Sequence, residues 1–310
     1  ETNAILFKEE MKKENWNESK ISDQSGKIFI VTGPTSGLGE ETTRVLSRKN
    51  ATVIMAARNI KKAESVANEI LAENKNAKID IEELDLSSLE SISLFSQSIN
   101  KKYKTLDCLI NNAGIMACPY SKTKDGFEIQ MGTNHLGHFA LTGQLISLLK
   151  KTPNSRVVNV SSIAHTSGNI DFDDLNWEKR KYRTWSAYCD SKLANLYFTY
   201  ELSRKLKQTK GHPHVIASHP GLTDTKLQRY STIWKILMKI AAQKVSIGAL
   251  GGIRAATDLT AESGDYFGSP SMGGMRGYPV LVKSNELSYN IDNAKKLWKL
   301  SEELTGVIYD

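Results

Sequence analysis

Tyr188 and Lys192 are the residues in this chain best suited to moving a proton. Set four apart on a helix, they lie on one face, one turn from each other. A phenol titrates near about 10, too high for a proton shuttle at neutral pH, and a neighbouring ammonium lowers that value by favouring the phenolate. Tyr188 so placed would be a general acid for carbonyl reduction and a general base for the reverse. Val160-Ser161-Ser162, at the end of an apolar run, adds a hydroxyl at the same sheet edge. Tyr-x-x-x-Lys alone is weak, since it occurs by chance in many helices. Its conjunction with the serines carries the weight.

A second stretch, Lys27 to Gly39, says what such groups would work with. Ile28 to Val31 reads as a buried strand, followed by a glycine turn and a helix from Glu40. Gly33 allows a tight exit from the strand, Gly37 lets backbone approach a bound group, and Gly39 lets the helix pack closely. A helix N-terminus with unpaired N–H groups suits a pyrophosphate. The spacing is G-x-x-x-G-x-G, and a merely structural loop is the competing reading. Ala57 and Arg58 follow the second strand, with no acid to bind a free ribose 2′-OH. An arginine there pairs with a 2′-phosphate, so NADP(H) is favoured over NAD(H). Asp85 and Leu86, after the third strand, are placed to meet the adenine.

The elements that must position these groups alternate. Strands are expected at Ala51–Ala56, Ile79–Leu84, Leu106–Ile110, Arg156–Val160 and His214–Ser218. Helices between them show one apolar face, as in Ala63, Val66, Ala67, Ile70 and Leu71. A long helix is expected around Gly126–Lys150 and another around Trp185–Lys207. This order implies an α/β fold, a doubly wound parallel sheet (Rossmann fold). We read residues 1–25 as an N-terminal arm and 26–310 as one domain. Tyr230–Ala242 reads as an amphipathic helix within a substrate lid at about 226–245, Gly264–Gly277 as mostly loop, and Asn290–Leu304 as a docked terminal helix.

The chain has 310 residues, enough to bury a core without staples. Its net charge of +7, from 41 basic and 34 acidic residues, is spread along the sequence with no nucleic-acid-binding block. Cys108, Cys118 and Cys189 form no C-x-x-C and suit a reducing, cytoplasmic setting. No run is long enough for a transmembrane span, while a peripheral membrane contact stays open. A chain that begins at Glu1 leaves a removed targeting segment open as well. His135 and His138 lack a ligand cluster, so a structural role is expected and no metal site. Cys189 is expected to be a helix-face residue rather than a nucleophile.

The motifs TGPTSGLG (32–39), NNAG (111–114), VNVSS (158–162), YCDSK (188–192) and HPG (219–221), in this order, resemble the short-chain dehydrogenase/reductase family. CPYSKTKDGFE (118–128), TNHLGHF (133–139) and AYCDSKLAN (187–195) resemble its retinol-dehydrogenase-like branch and bacterial relatives. The light-dependent protochlorophyllide reductases are similar too, less so around CPYSKT. The resemblance implies Tyr188 as proton donor and acceptor, Lys192 lowering its pKa and holding the nicotinamide ribose, and Ser162 bonding the substrate oxygen. It implies Asn134 as the holder of a relay water. Gly33, Thr35, Ser36, Gly37, Leu38 and Gly39 would line the cofactor with Asn112, Ala113 and Gly114. Pro220, Gly221, Thr223 and Thr225 would flank the nicotinamide and pyrophosphate.

There are departures. Pro34 removes one N–H donor near the phosphates, and Ser36 is not basic, so Arg58 stands nearly alone for a 2′-phosphate. Ser162 and Tyr188 are 26 positions apart, which marks an insertion placed to cover the helix that relatives use to dimerise. Monomer and homodimer both stay open. The expected activity is interconversion of a carbonyl and an alcohol on a lipophilic small molecule. A vestigial dinucleotide-binding scaffold and a C=C reductase of the protochlorophyllide type are the alternatives. The substrate is not legible.

Overall fold

The computed structural model describes residues 15–207, 213–223 and 243–309. Eight strands form one sheet: β1 (Ile28–Thr32), β2 (Thr52–Ala57), β3 (Lys78–Glu83), β4 (Cys108–Asn111), β5 (Arg156–Val160), β6 (His214–Ser218), β7 (Tyr266–Gly268) and β8 (Val280–Leu281). Their order is β3-β2-β1-β4-β5-β6-β7-β8, parallel except for the antiparallel β7–β8 pair. The order reverses between β1 and β4, so a crevice for ligand opens beyond their carboxyl ends.

Neighbouring residues on a strand face opposite sides, and the core divides accordingly. Ile30, Ile54, Leu109, Val157 and Val215 join one layer. Phe29, Val31, Val53, Ile110, Val158 and Ile216 join the other. Helices α1 (Gly37–Arg48), α2 (Ile60–Glu73) and α3 (Leu89–Lys102) follow the first three strands. Asn59 and Ser88 cap α2 and α3 by accepting N–H bonds from Lys62 and Ser91.

The long helix expected from Gly126 is instead a short α4 (Ile129–Met131), a π-helical turn (Gly132–Leu136) and α5 (Gly137–Lys151). Gly126 has a φ of +89° and lies in the turn before it. The buried Glu128 carboxylate starts the helix by accepting the Gln130 and Met131 N–H groups at 2.9 and 2.6 Å. Two contacts accompany the widened turn. A Cβ on Gly132 would collide with the Thr123 methyl, and one on Gly137 with Leu86 O.

The 23-residue α6 (Thr184–Leu206) follows β5. After β6 come α7 (Val245–Gly248) and α8 (Leu250–Thr257), and α9 (Ile291–Thr305) packs on α6 through Ala294 and Leu297. Residues 15–25, read as part of an arm, are docked in the described portion. Trp16 and Ile21 are buried with Val45, Leu250 and Ile253. The glycine-rich stretch contains β7, three residues long and too short to show a period. The expected lid helix at 230–242 lies outside the described residues.

Candidate active site

Thr32, at the end of β1, organises the sheet edge. Its Oγ1 accepts the N–H groups of Asn112 and Ala113 at 3.0 and 2.9 Å. His138 Nδ1 lies 3.0 Å from Asn134 O, and its Nε2 lies 3.0 Å from Thr32 Oγ1. Burial pushes the His138 pKa down to about 4. The neutral ring therefore carries its proton on Nδ1, facing the carbonyl, and Nε2 accepts the Thr32 hydroxyl. One threonine thus ties the β1 exit, the β4 exit and the π turn together.

The glycine turn lies over this edge. Gly33 and Gly37 have φ of +65° and +56°. A Cβ on Gly39 would collide with Gly33 O and come 2.6 Å from Asn112 Nδ2, so the start of α1 can sit this close only as glycine. Ser36, at the α1 N-cap, makes no side-chain cap bond, which leaves the helix N-terminus to a ligand. Thr35, Ser36 and Leu38 are half-buried around it. Arg58 is exposed immediately after β2, with no ion pair among the described residues. The Asp85 carboxylate turns inward to accept the Ser87 N–H at 3.0 Å and hydroxyl at 2.6 Å. Leu86 is buried.

Asn134 is fully buried and grips the loop after β4. Its Oδ1 accepts the Ile115 N–H, and its Nδ2 donates to Ile115 O and Ser191 Oγ, each at 2.9 Å. Gly114 lies where the three groups converge: a Cβ there would stand 3.3 Å from Asn134 Oδ1 and 3.4 Å from Lys192 Nζ. Lys192 Nζ donates to Val160 O at 3.2 Å and lies 5.7 Å from the centre of the Tyr188 ring. Ser162 stands near enough to the Tyr188 phenol to lower its pKa, and Ser162 Oγ accepts the Ala164 N–H at 3.2 Å.

Burial raises the Tyr188 pKa to about 12, against a smaller lowering by Ser162. Burial also lowers the Lys192 pKa to about 8. Both groups are dry, and desolvation is the largest influence on each. The phenol is therefore neutral at ordinary pH.

Tyr188 and Ser162 open onto a cleft of about 760 Å³. Among the described residues its walls are largely apolar, with Met116, Ile163, Trp185, Leu222, Met275 and Val282. Pro220, Gly221 and Thr223 line it as well. Gly221 has a φ of +65°, and Thr223 Oγ1 donates to Pro220 O at 2.7 Å. Gln243 Nε2 donates to the same carbonyl at 2.7 Å. Thr225 lies outside the described residues. Of the expected residues, Asn112, Ala113, Gly114, Asn134, Ser162, Tyr188 and Lys192 are gathered at one sheet edge. The sequence reading missed Thr32, Gln243 and His165, whose roles depend on contacts far along the chain. His138 had been expected to be structural.

This edge and its fold define a class. Residues 27–235 match the family model described as short chain dehydrogenase, and the chain belongs to that family. Human retinol dehydrogenase 13 is 41% identical over 298 residues, covering 91% of this chain and 85% of its own length. Human retinol dehydrogenase 12 is 40% identical over 290 residues, covering 92% and 88%. A solved structure of an uncharacterized protein from Mycobacterium Paratuberculosis superposes with a TM-score of 0.80 at 38% identity, covering 96% of this chain and 100% of that one. A short chain dehydrogenase from Escherichia coli CFT073, complexed with NADPH, gives 0.55 at 26% identity over 69% of this chain and 86% of its own. The chain is an NAD(P)-dependent oxidoreductase of the retinol-dehydrogenase-like kind.

Proposed function

We propose that the chain interconverts a carbonyl and an alcohol on a lipophilic small molecule, preferring NADP(H), with Tyr188 as the acid/base. The observation that carries this reading is the buried Tyr188 phenol, beside Ser162 and with Lys192 behind its ring, at the foot of an apolar cleft. The cofactor supplies the hydride. The chain's own groups orient the partners and handle the proton. Ser162, beside the phenol, offers its hydroxyl to the substrate oxygen. Tyr188 protonates that oxygen in reduction and removes its proton in oxidation. Lys192 holds positive charge behind the phenol, and Asn134 fixes the loop on which Gly114 approaches it.

The cradle suits a dinucleotide. Gly33 and Gly39 let the β1 exit, the start of α1 and the β4 exit approach closely, and no side-chain cap occupies the N-terminus of α1, which suits phosphate. Asn112, Ala113 and Gly114 would line the nicotinamide side with Pro220, Gly221 and Thr223, while Leu86 and the backbone of Asp85 would border the adenine. Arg58 would pair with a 2′-phosphate, and the NADPH complex of the Escherichia coli relative agrees with that preference. The retinol dehydrogenase names of the relatives and the apolar cleft both favour a lipophilic alcohol or carbonyl. The three cysteines are free thiols, which suits the cytoplasmic setting read from the sequence. No described helix is long and apolar enough to cross a membrane.

Titration of the protein with NADPH and NADH, followed by quenching of tryptophan fluorescence, tests the reading. NADPH is expected to bind roughly ten- to a hundredfold more tightly, the value of a charge-assisted pair. Arg58→Ala should erase most of that difference. Tighter NADH binding would overturn the cofactor preference.

A further inference from the structure

His165 lies three residues beyond Ser162, buried in the wall of the cleft. Its Nδ1 is 2.6 Å from Ser162 O, and its Nε2 accepts the backbone N–H of Asn285 at 3.2 Å. An amide N–H can only donate, so Nε2 is unprotonated and the ring proton sits on Nδ1, where it meets the carbonyl. The imidazole is therefore a two-ended strut, with one end on the serine beside Tyr188. Its other end is on a segment 120 residues away that also lines the cleft.

That segment is braced a second time. Ser284 Oγ lies 2.8 Å from Tyr200 Oη on α6, the helix that carries Tyr188. It also lies 2.5 Å from Ser288 Oγ, and Asn285 caps the turn Glu286–Tyr289 by accepting the Ser288 N–H at 3.3 Å. Ser162, Tyr188 and the Val282–Asn285 wall thus form a closed frame, of which His165 is one side. Tyr266 and His219 pack beside it, with the Tyr266 ring centre 5.7 Å from that of His165 and 5.2 Å from that of His219.

We propose that His165 is a positioning residue that fixes the Ser162 carbonyl against the Val282–Asn285 wall, so that the serine hydroxyl and the substrate-holding wall keep one separation. The inference rests on the carbonyl/alcohol reading above. The two ends of the strut make separable contributions. The Nδ1 end orients Ser162 and so acts on kcat; the Nε2 end holds the wall and so acts on substrate KM.

Two variants and one spectrum test it. His165→Phe keeps the ring and loses both bonds. His165→Asn places an amide N–H near the Nδ1 position but cannot reach Asn285. With a turned-over carbonyl substrate, His165→Phe should lower kcat about ten- to a hundredfold, the cost of small misplacement, and raise KM. His165→Asn should recover most of kcat and leave KM raised. Dinucleotide titration should be unchanged in both, showing that each is folded. In the full-length protein labelled with 15N-histidine, the resonance absent from His165→Phe should show Nδ1 protonated and Nε2 bare at neutral pH. A proton on Nε2, or His165→Phe with the parent kcat and KM, would overturn the proposal. If the parent protein reduces no carbonyl at all, it is the functional reading that fails, and the spectrum still decides the strut.

Discussion

The cleft's outer wall and the layer behind it, here the inner wall, are built differently. The inner wall comprises the exits of β1, β4 and β5, the π turn, the start of α5, and α6. Its polar groups Thr32, Asn111, Asn134, His138, Ser191 and Lys192 are all buried, and each is hydrogen-bonded to another residue of the wall or sheet. The outer wall gathers Ile163, Trp185, Met275, Val282 and Lys283 from separate loops and a helix start, and Trp185 and Lys283 are exposed. Most members of this network are paired, Asn111 Oδ1 being left without a partner, and such a buried network holds its atoms close to one geometry. A loop-built apolar wall can change its shape without unpairing buried groups. Proton transfer needs the first kind of wall and substrate selection the second.

The comparison makes its largest prediction at Tyr188. Tyr188→Phe removes the proton donor while leaving a ring that packs on Ala164 and Met116. Hydride transfer to a carbonyl should fall by about 10²–10⁴, the usual worth of general acid catalysis. Dinucleotide affinity and substrate KM should hold within a few-fold, because neither depends on the hydroxyl. Single-turnover absorbance of the reduced cofactor checks this, and unaltered turnover would remove Tyr188 from the chemistry.

Acid sharpens the comparison next, because neutral buried histidines stand in both walls. Burial holds His138 at about 4 in the inner wall and His219 at about 3 in the outer one, both below the ordinary 6.5. His135, at about 3, and His165 are depressed in the same direction. The unfolded chain takes up these protons first, so their contribution to stability is complete above pH 6.5. It is lost as pH falls toward 4, by up to about 1.4 kcal/mol per pH unit for each histidine. Thermal unfolding between about pH 7.5 and 4.5 should show Tm level down to about 6.5 and falling below it, with activity lost in step. Activity lost at a pH where Tm has not moved would mean that the outer wall opens alone.

The inner wall was largely legible in the sequence and the outer wall was not, for a physical reason. The glycine turn, the strands and the Tyr188–Lys192 spacing are written in local periodicity, which a few neighbouring residues suffice to display. The Thr32–His138 bond joins residues 106 positions apart and the His165–Asn285 bond 120, and no local pattern encodes either. Solvation was equally hidden. The placing of Lys192 one turn from Tyr188 could be read from spacing, but the burial that raises the phenol's pKa arises only when helix and sheet close together. The docking of Trp16 and Ile21 failed to register for the same reason, since their partners lie on α1, on α8 and at Ala249 just before it.

Trp185 gives the smallest expected effect and the finest division between the walls. It sits on the first turn of α6, 48% exposed, with its ring centre 5.6 Å from that of Tyr188 and the planes 39° apart. Covalently it belongs to the helix of the inner wall, yet its surface faces the substrate side. If it serves the outer wall, Trp185→Ala should raise KM for a lipophilic substrate about fivefold, the value of some 40 Å² of lost apolar contact. The increase should shrink for short-chain carbonyls, and kcat should stay within about twofold, because Ala164, Cys189 and Met116 still pack on Tyr188. A fall in kcat with KM unchanged would assign Trp185 to the inner wall instead, as a brace for the phenol. The boundary between the rigid and adaptable parts of the site would then lie one helical turn further out.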